Sequence, residues 1–464
     1  MIHDLKPYPA YKDTGVRWLG AVPEHWAVKR LRNAAEMRVS NVDKNLTDDE
    51  RPVQLCNYVD VYKNDRIRGR MPFMRATATL EEIERFHLKP GDVLITKDSE
   101  MWNDIGVPAL VETSGDDLVC GYHLALLRPF KNQVLGGFLF RSFQSTGVSY
   151  QLHTEANGVT RYGLSQGAIK SVWLGLPPLP EQTAIVRFLD HADLRIRRYI
   201  RAKQKLVKLL EEQKQAVIHR AVTHGLDPNV CLKPSGVEWL GDVPEHWAVK
   251  RLKWVTRLQR GYDLPADSRV PGPYAVVSSG GIIDYHCEPR SRGPGVVMGR
   301  YGSTDAVFFI QEDFWPHNTA LFVTDFQGNR PRWCYYLLRT ISKADHAGKS
   351  AVPGVDRKDL YQIMVPVPPV SEQDVLVVEI ETESADLDKA ISSANHEISL
   401  LSEYRTRLIA DLVTGKLDVR EAAASLPDET GEQERILDDA GPFIEDDPED
   451  DDLGLEAALE EVEA

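Results

Sequence analysis

Two stretches of the chain, from Pro180 to Gly225 and from Ser371 to Gly415, run about 40 residues with no glycine or proline between their ends. Steps of alternately four and three residues through the first give Ile185, Leu189, Ala192, Ile196, Tyr199, Lys203, Leu206, Leu210, Gln213, Val217 and Arg220, eight of the eleven apolar. The positions 191 further on are Leu376, Ile380, Glu383, Leu387, Ala390, Ala394, Glu397, Leu401, Tyr404, Leu408 and Asp411, again eight of eleven. That spacing predicts two long helices, each with an apolar seam. The seams are interrupted by Lys203, Gln213 and Arg220 on the first helix and by Glu383, Glu397 and Asp411 on the second. Self-pairing stacks like charges, whereas pairing one helix with the other brings opposite signs together. The pattern predicts an intramolecular antiparallel coiled coil roughly 60 Å long. The alternative is that each helix caps its own globular domain.

Ahead of each helix the pattern changes to short runs of β type: Asp92 to Thr96, Leu118 to Leu127, Tyr274 to Ser278, Ala306 to Ile310 and Ala320 to Thr324, divided by Gly/Pro turns. Residues 32–170 and 253–360 therefore read as two α/β or α+β modules. Each sits in a duplicated frame. Gly15 to Leu31 (GVRWLGAVPEHWAVKRL) returns 221 residues later as Gly236 to Leu252 (GVEWLGDVPEHWAVKRL), with 15 of 17 positions identical. Pro177-Pro-Leu-Pro-Glu181-Gln182 matches Pro368-Pro-Val-Ser-Glu372-Gln373, so the interiors differ by 30 residues, and they share little beyond Lys89-Pro-Gly-Asp-Val-Leu94 against Gly293-Pro-Gly-Val-Val-Met298. A repeat of this length means two domain-sized copies. We expect a first globular domain over 1–178, a helical region over 179–225, a second domain over 226–369, a second helical region over 370–418 and a tail over 419–464, the whole pseudo-two-fold symmetric.

Charge changes the picture only once it is located. The 464 residues carry a net charge of -15, which by itself argues against a polyanionic partner. Residues 421–464 hold 18 acidic residues against Arg435 alone, leaving residues 1–420 with 54 Lys/Arg and 52 Asp/Glu, a net of +2. The body is near neutral and the tail reads as solvated and disordered, either a solubilising extension or a competitor for basic grooves. Cys56, Cys120, Cys231, Cys287 and Cys334 form no C-x-x-C pair, so reduced thiols are expected. Without a signal-peptide order or an apolar run of about 18 residues, the expected location is cytoplasmic.

Candidate chemistry is thin. Tyr62 to Arg75 (YKNDRIRGRMPFMR) packs Lys63, Arg66, Arg68, Arg70 and Arg75 around Asp65, a composition suited to phosphate contact. We take Lys63, Arg66, Arg68, Arg70, Lys97 and Arg161 as DNA-contact candidates in the first module, and Arg292, Arg300, Tyr301 and Lys349, beside Arg290, in the second. The other reading of such stretches is a solvated loop. No phosphate-binding loop is present, since the residue five before Gly348 is Lys343, and there is no H-E-x-x-H or cysteine zinc spacing. The repeated Trp18/Trp239, His25/His246 and Trp26/Trp247 are expected in the core.

The arrangement resembles the specificity subunit of Type I restriction-modification systems over roughly residues 10–420. The paired W-L-G-x-V-P-E-H-W-x-V-K-R-L segments, the paired P-P-x-x-E-Q entrances and the paired ends Thr223-His-Gly-Leu-Asp227 and Thr414-Gly-Lys-Leu-Asp418 carry the resemblance. It implies two target-recognition domains, each reading one half of a split, asymmetric site in double-stranded DNA. It implies no catalysis and no cofactor in this chain, which would assemble with two methyltransferase subunits and, in the full complex, two restriction subunits. S-adenosylmethionine, ATP and magnesium would belong to those partners. Glu181, Gln182, Leu189, Leu206, Leu210, Glu372, Gln373, Leu387, Leu401 and Leu408 are the residues expected in helix pairing and subunit docking. Two other readings stay open: a coiled-coil scaffold binding proteins, and a stand-alone DNA-modifying enzyme whose site the motifs do not reveal.

Overall fold

The computed structural model describes residues 5–300, 306–341 and 356–427. Tyr301, Lys349 and residues from Asp428 onward lie outside them. The chain divides into two compact units, residues 1–201 with 399–464, and residues 202–398.

In the first unit the module builds two sheets from seven strands: β1 (Ala35–Val39), β2 (Arg51–Cys56), β3 (Met74–Ala78), β4 (Val93–Thr96), β5 (Pro108–Val111), β6 (Leu118–Cys120) and β7 (Leu124–Pro129). One sheet runs β1-β7-β4-β5 with antiparallel neighbours, and Arg66–Ile67 adds a parallel edge beside β5. The other runs β6-β2-β3, with β6 parallel and β3 antiparallel to β2. All of β4 is buried because both of its faces are covered, so it reads as an unbroken apolar run. Val93 and Ile95 enter one core with Phe138, Phe140 and Ile185, while Leu94 enters the other with Leu55, Val119 and Leu126.

The second unit repeats this plan with a different sequence. Its strands are β8 (Arg257–Arg260), β9 (Tyr274–Ser278), β10 (Gly281–His286), β11 (Gly295–Gly299), β12 (Val307–Ile310), β13 (Phe314–Pro316) and β14 (Ala320–Asp325). The sheets run β8-β14-β11-β12 and β13-β9-β10, the first module's orders with seven added to each number. Parallel and antiparallel pairs match throughout. The length difference lies in connections. Residues 57–73, with a helix over Tyr58–Lys63, join β2 to β3, where Ser279 and Gly280 suffice between β9 and β10; the helix Leu80–Phe86, between β3 and β4, is also extra.

The expected run Leu118 to Leu127 is corrected: it is two strands in different sheets, broken at Gly121-Tyr122-His123. Gly121 makes the crossing possible because its N–H donates to Cys56 O at 2.9 Å, and a Cβ there would lie 2.7 Å from that same oxygen.

The long helices span Leu179–His224 and Val370–Val413. Within the second unit Lys203 Nζ lies 2.8 Å from Glu397, Lys214 pairs with Asp388, and Arg220 Nη2 lies 3.2 Å from Glu383. Residue numbers rise on one helix as they fall on the other. The apolar seam begins as expected with Ile185, Leu189 and Ile196, then moves: Ile200 is buried while Tyr199 and Leu206 are exposed, and Ile218 rather than Val217 is buried near the end. A straight helix drifts about 20° per heptad against a 3.5-residue repeat, enough over five heptads to shift the buried row by one position.

The expected tail also starts too early. Arg420–Ala424 is helical, with Val419 and Ala423 buried in the first unit's core, and Arg187 Nη2 donates to Leu426 O and Pro427 O. Residues 421–427 (EAAASLP) hold one acid among mostly apolar residues, which the charge total of the whole tail conceals.

Candidate nucleic-acid interface and its mount

Each module is fastened to the helices by the same handful of duplicated residues. In the first unit Glu181 accepts from Trp26 Nε1 at 2.8 Å and from the Tyr8 hydroxyl at 2.6 Å, and His25 Nε2 lies 2.8 Å from its other oxygen. In the second unit Glu372 accepts from Trp247 Nε1 at 3.0 Å, with His246 Nε2 at 2.8 Å. Both tryptophan side chains are buried, so each indole N–H needs this acceptor; a hydrogen bond to a charged group contributes about 1.5–3 kcal/mol. The adjoining glutamines finish the joint. Gln182 accepts from Leu135 N and donates to Gln133 O and Pro177 O, while Gln373 accepts from Arg330 N and donates to Asn329 and Pro368 O.

The other end of each mount is a glycine. Gly415, closing the second helix with φ +74°, packs against Pro23 and Trp26; Gly225, closing the first with φ +76°, packs against Trp247 and Glu372. The entrance of one helix and the exit of the other therefore meet on one tryptophan within each unit. The core expectation is corrected for the other members of the set: only Trp26 and Trp247 are buried, while His25, His246 and Trp18, stacked on Tyr150 at 5.5 Å, are exposed and Trp239 is half-buried, because the histidines meet their glutamates from the solvent side.

The first unit also holds a charged knot. Buried Arg141 pairs with Asp190 at 2.7 Å and Asp193 at 3.2 Å; Arg197 and Arg405 both reach Asp193 and Asp65. Burial alone would raise the Asp193 carboxyl, but Arg141, Arg405 and Arg197 overcome it and hold the group far below the usual carboxylate range. Asp65 is held low in the same way, burial being outweighed by Arg197 and Arg405. In the second copy the residue matching Asp193 is Ser384, also buried.

This knot sorts the basic candidates. Arg66 pairs with Asp190 at 2.8 Å and Glu112 at 3.5 Å, and Arg68 with Glu112 at 2.7 Å, so both are turned toward the protein. Lys63, on the last turn of its helix, and Arg70 are exposed. Lys97 and Arg161 come together where β4 leaves the sheet. Asp98 accepts from Lys97 Nζ at 2.7 Å and lies 2.8 Å from His123 Nδ1; against burial, these two hold its carboxyl low. Asp98–Ser99 pairs with Tyr162–Gly163 next to Arg161. Tyr58 hydrogen-bonds Ser99 and feels the Arg161 charge, yet burial pushes its hydroxyl up to about 12. Tyr58 also stacks on Tyr62, whose hydroxyl donates to Asp104 at 2.9 Å. Sequence reasoning missed Tyr58, Asp98 and His123, because their meaning depends on strands that pair only in the fold.

In the second module the guanidinium of Arg290 lies 5.8 Å from the Tyr262 ring and 5.0 Å from that of Trp315. Arg292 is exposed beside it, and Arg300 N donates to Thr319 O at 3.2 Å, next to His317. Of the helix candidates, Leu189 and Leu408 are buried, Leu210, Leu387 and Leu401 are half-buried, and Leu206 is 41% exposed. Among the described residues no group of three or more His, Cys, Asp or Glu is placed to hold a metal, and no helix is long and apolar enough to cross a membrane.

Residues 52–208 match the family model of the Type I restriction modification DNA specificity domain, spanning the clustered loops and the first helix entrance. Those residues therefore carry a Type I restriction modification DNA specificity domain. The chain is 24% identical over 430 residues to a Methanocaldococcus jannaschii protein named "Putative type I restriction enzyme MjaX specificity subunit", covering 87% of this chain and 96% of that one. The type I restriction enzyme MjaVIII specificity subunit of the same organism is 21% identical over 326 residues, 62% of this chain and 72% of that one. A solved structure described as "Structural basis underlying complex assembly and conformational transition of the type I R-M system" shares the fold at 16% identity and a TM-score of 0.60, over 85% of this chain and 99% of that one. Both modules keep the same strand order, and the family match covers residues 52–208.

Proposed function

We propose that the chain is the DNA sequence-recognition subunit of a Type I restriction-modification complex, reading a bipartite, asymmetric target with one half-site per module. One observation carries the reading: two modules of the same strand order, different in their loops, are fixed by the same tryptophan, glutamate, glutamine and glycine joint. A protein that needs two different readings from one assembly must keep the mount and vary the loops. The opposed register of the charge pairs supports an antiparallel coiled coil and pseudo-two-fold symmetry, which would present inverted half-sites.

Lys63 and Arg161 in the first module and Arg290, Arg292 and Arg300 in the second would meet phosphates, so binding would weaken steeply as salt rises. Arg66, Arg68 and Lys97, engaged with carboxylates, would instead hold their loops. The helices, with Leu206 exposed, would dock the methyltransferase and restriction subunits, and S-adenosylmethionine, ATP and magnesium would act on those partners. A duplex-DNA gel shift of the purified chain, followed by methylome sequencing of cells expressing it with its methyltransferase, tests this. Failure to shift duplex DNA or to direct methylation would return the chain to the protein-scaffold reading; methylation by the purified chain alone would support the stand-alone enzyme.

A further inference from the structure

The connection from β4 to β5 in the first module ends in a tip that is apolar where its surroundings are charged. Met101 is 56% exposed and Trp102 48%. The tip cannot fold down to bury them, because its base is fixed on three sides. Asp98–Ser99 is paired to Tyr162–Gly163, Asp104 is held by the Tyr62 hydroxyl, and Gly106 N donates to Thr96 O at 3.0 Å, with Ile105 buried beside it. Trp102 meets His153 only edge-on, with ring centres 6.2 Å apart. The exposed Arg161 and the Asp98-paired Lys97 belong to the same loop cluster, together with Glu100 and Asp104.

A rigid, narrow apolar tip with the exposed Arg161 beside its base suits a duplex. Arg161 takes a phosphate, while a Met or an aromatic ring enters between base steps or stacks on a base. A protein partner would be served by a broader apolar face. We infer that Met101 and Trp102 form a wedge that lies against the bases of the half-site read by the first module. This rests on the DNA-recognition reading above.

The test uses the full chain assembled with its methyltransferase, and duplexes of its methylome-defined target carrying 2-aminopurine at one position at a time. The wild-type complex should raise the fluorescence at one step of the first half-site. W102A should abolish that rise and weaken target binding about tenfold, the contribution of one stacked base. W102F should restore most of both, M101S should weaken binding less, and affinity for random duplex at low salt should change by less than about twofold. Thermal midpoints matching wild type would exclude misfolding. The inference is overturned if W102A and M101S both bind the target within about twofold of wild type and keep the fluorescence rise. It is also overturned if W102A loses the methyltransferase while the chain's own DNA binding is unchanged, which would make the tip a protein contact. A wild-type complex that binds no duplex would instead remove the underlying functional reading, whatever Trp102 does.

Discussion

At Asp193 three arginines meet one buried carboxylate, and the sign of the resulting pH dependence follows directly. The Asp193 and Asp65 carboxyls titrate lower in the fold than the roughly 3.9 of an unfolded aspartate. Their stabilisation is therefore complete above about pH 4 and is lost as pH falls below it toward the folded values. D193N should destabilise the first unit by on the order of 3 kcal/mol at neutral pH, because Arg141 keeps only part of its compensation, and should flatten the acid limb of the stability curve. Denaturant titration from pH 7 to pH 2 measures both. The helix-ending glycines make a second contrast. Each carries a left-handed φ that costs a side-chain residue about 1–2 kcal/mol, but a Cβ on Gly415 would also lie 2.3 Å from Pro23 Cδ, whereas one on Gly225 would approach nothing closer than 3.3 Å. G415A should therefore lower the chain's stability more than G225A, by a further overpacking cost of about 1–3 kcal/mol in chemical denaturation. The sequence marked both glycines as helix stops, but their second role, against the tryptophans, was invisible because those partners are distant in the chain. Asp65 is the sharper case. Among five cations it reads as a stray acid in a phosphate-binding stretch, yet its arginines are 132 and 340 residues away.

Elements were legible where their signal is local. Apolar periodicity and the breakers at Gly225 and Gly415 gave the long helices, and the charges at Lys203, Arg220, Glu383 and Glu397 gave their pairing, which the ion pairs bear out within the second unit. The seam's drift from Tyr199 to Ile200 was not legible, since a fixed heptad count ignores the 3.6-residue turn. Strand order was not legible either. It is conveyed by which face of β4 or β11 meets which core, and Val, Leu, Met and Gly satisfy that burial equally well. If the helices set the separation of the two readers, adding one matched heptad to each, about 10.5 Å of rise, should lengthen the spacer between half-sites by about 3 base pairs and leave both half-sites intact. Methylome sequencing of the variant reads this; altered half-sites with an unchanged spacer would refute it.

On the scale of the whole molecule, the chain keeps its mounts constant and varies its loops. The Glu–Gln joints, the buried tryptophans and the helix-ending glycines are repeated, while the loop over residues 97–107 and the cluster of Tyr262, Arg290 and Trp315 have no sequence counterpart in the other copy. Net charge, the coarsest whole-molecule signal, misleads here, because residues beyond 420 carry a net -17 and the body is close to neutral. The most direct test is to replace residues 32–170 with the corresponding module of another specificity subunit, keeping Gly15 to Leu31 and the Glu181–Gln182 entrance, and to sequence the methylome of cells that also express the methyltransferase. One half-site should change while the other half-site and the spacer stay as they were; a change in both half-sites would contradict independent readers on a shared mount.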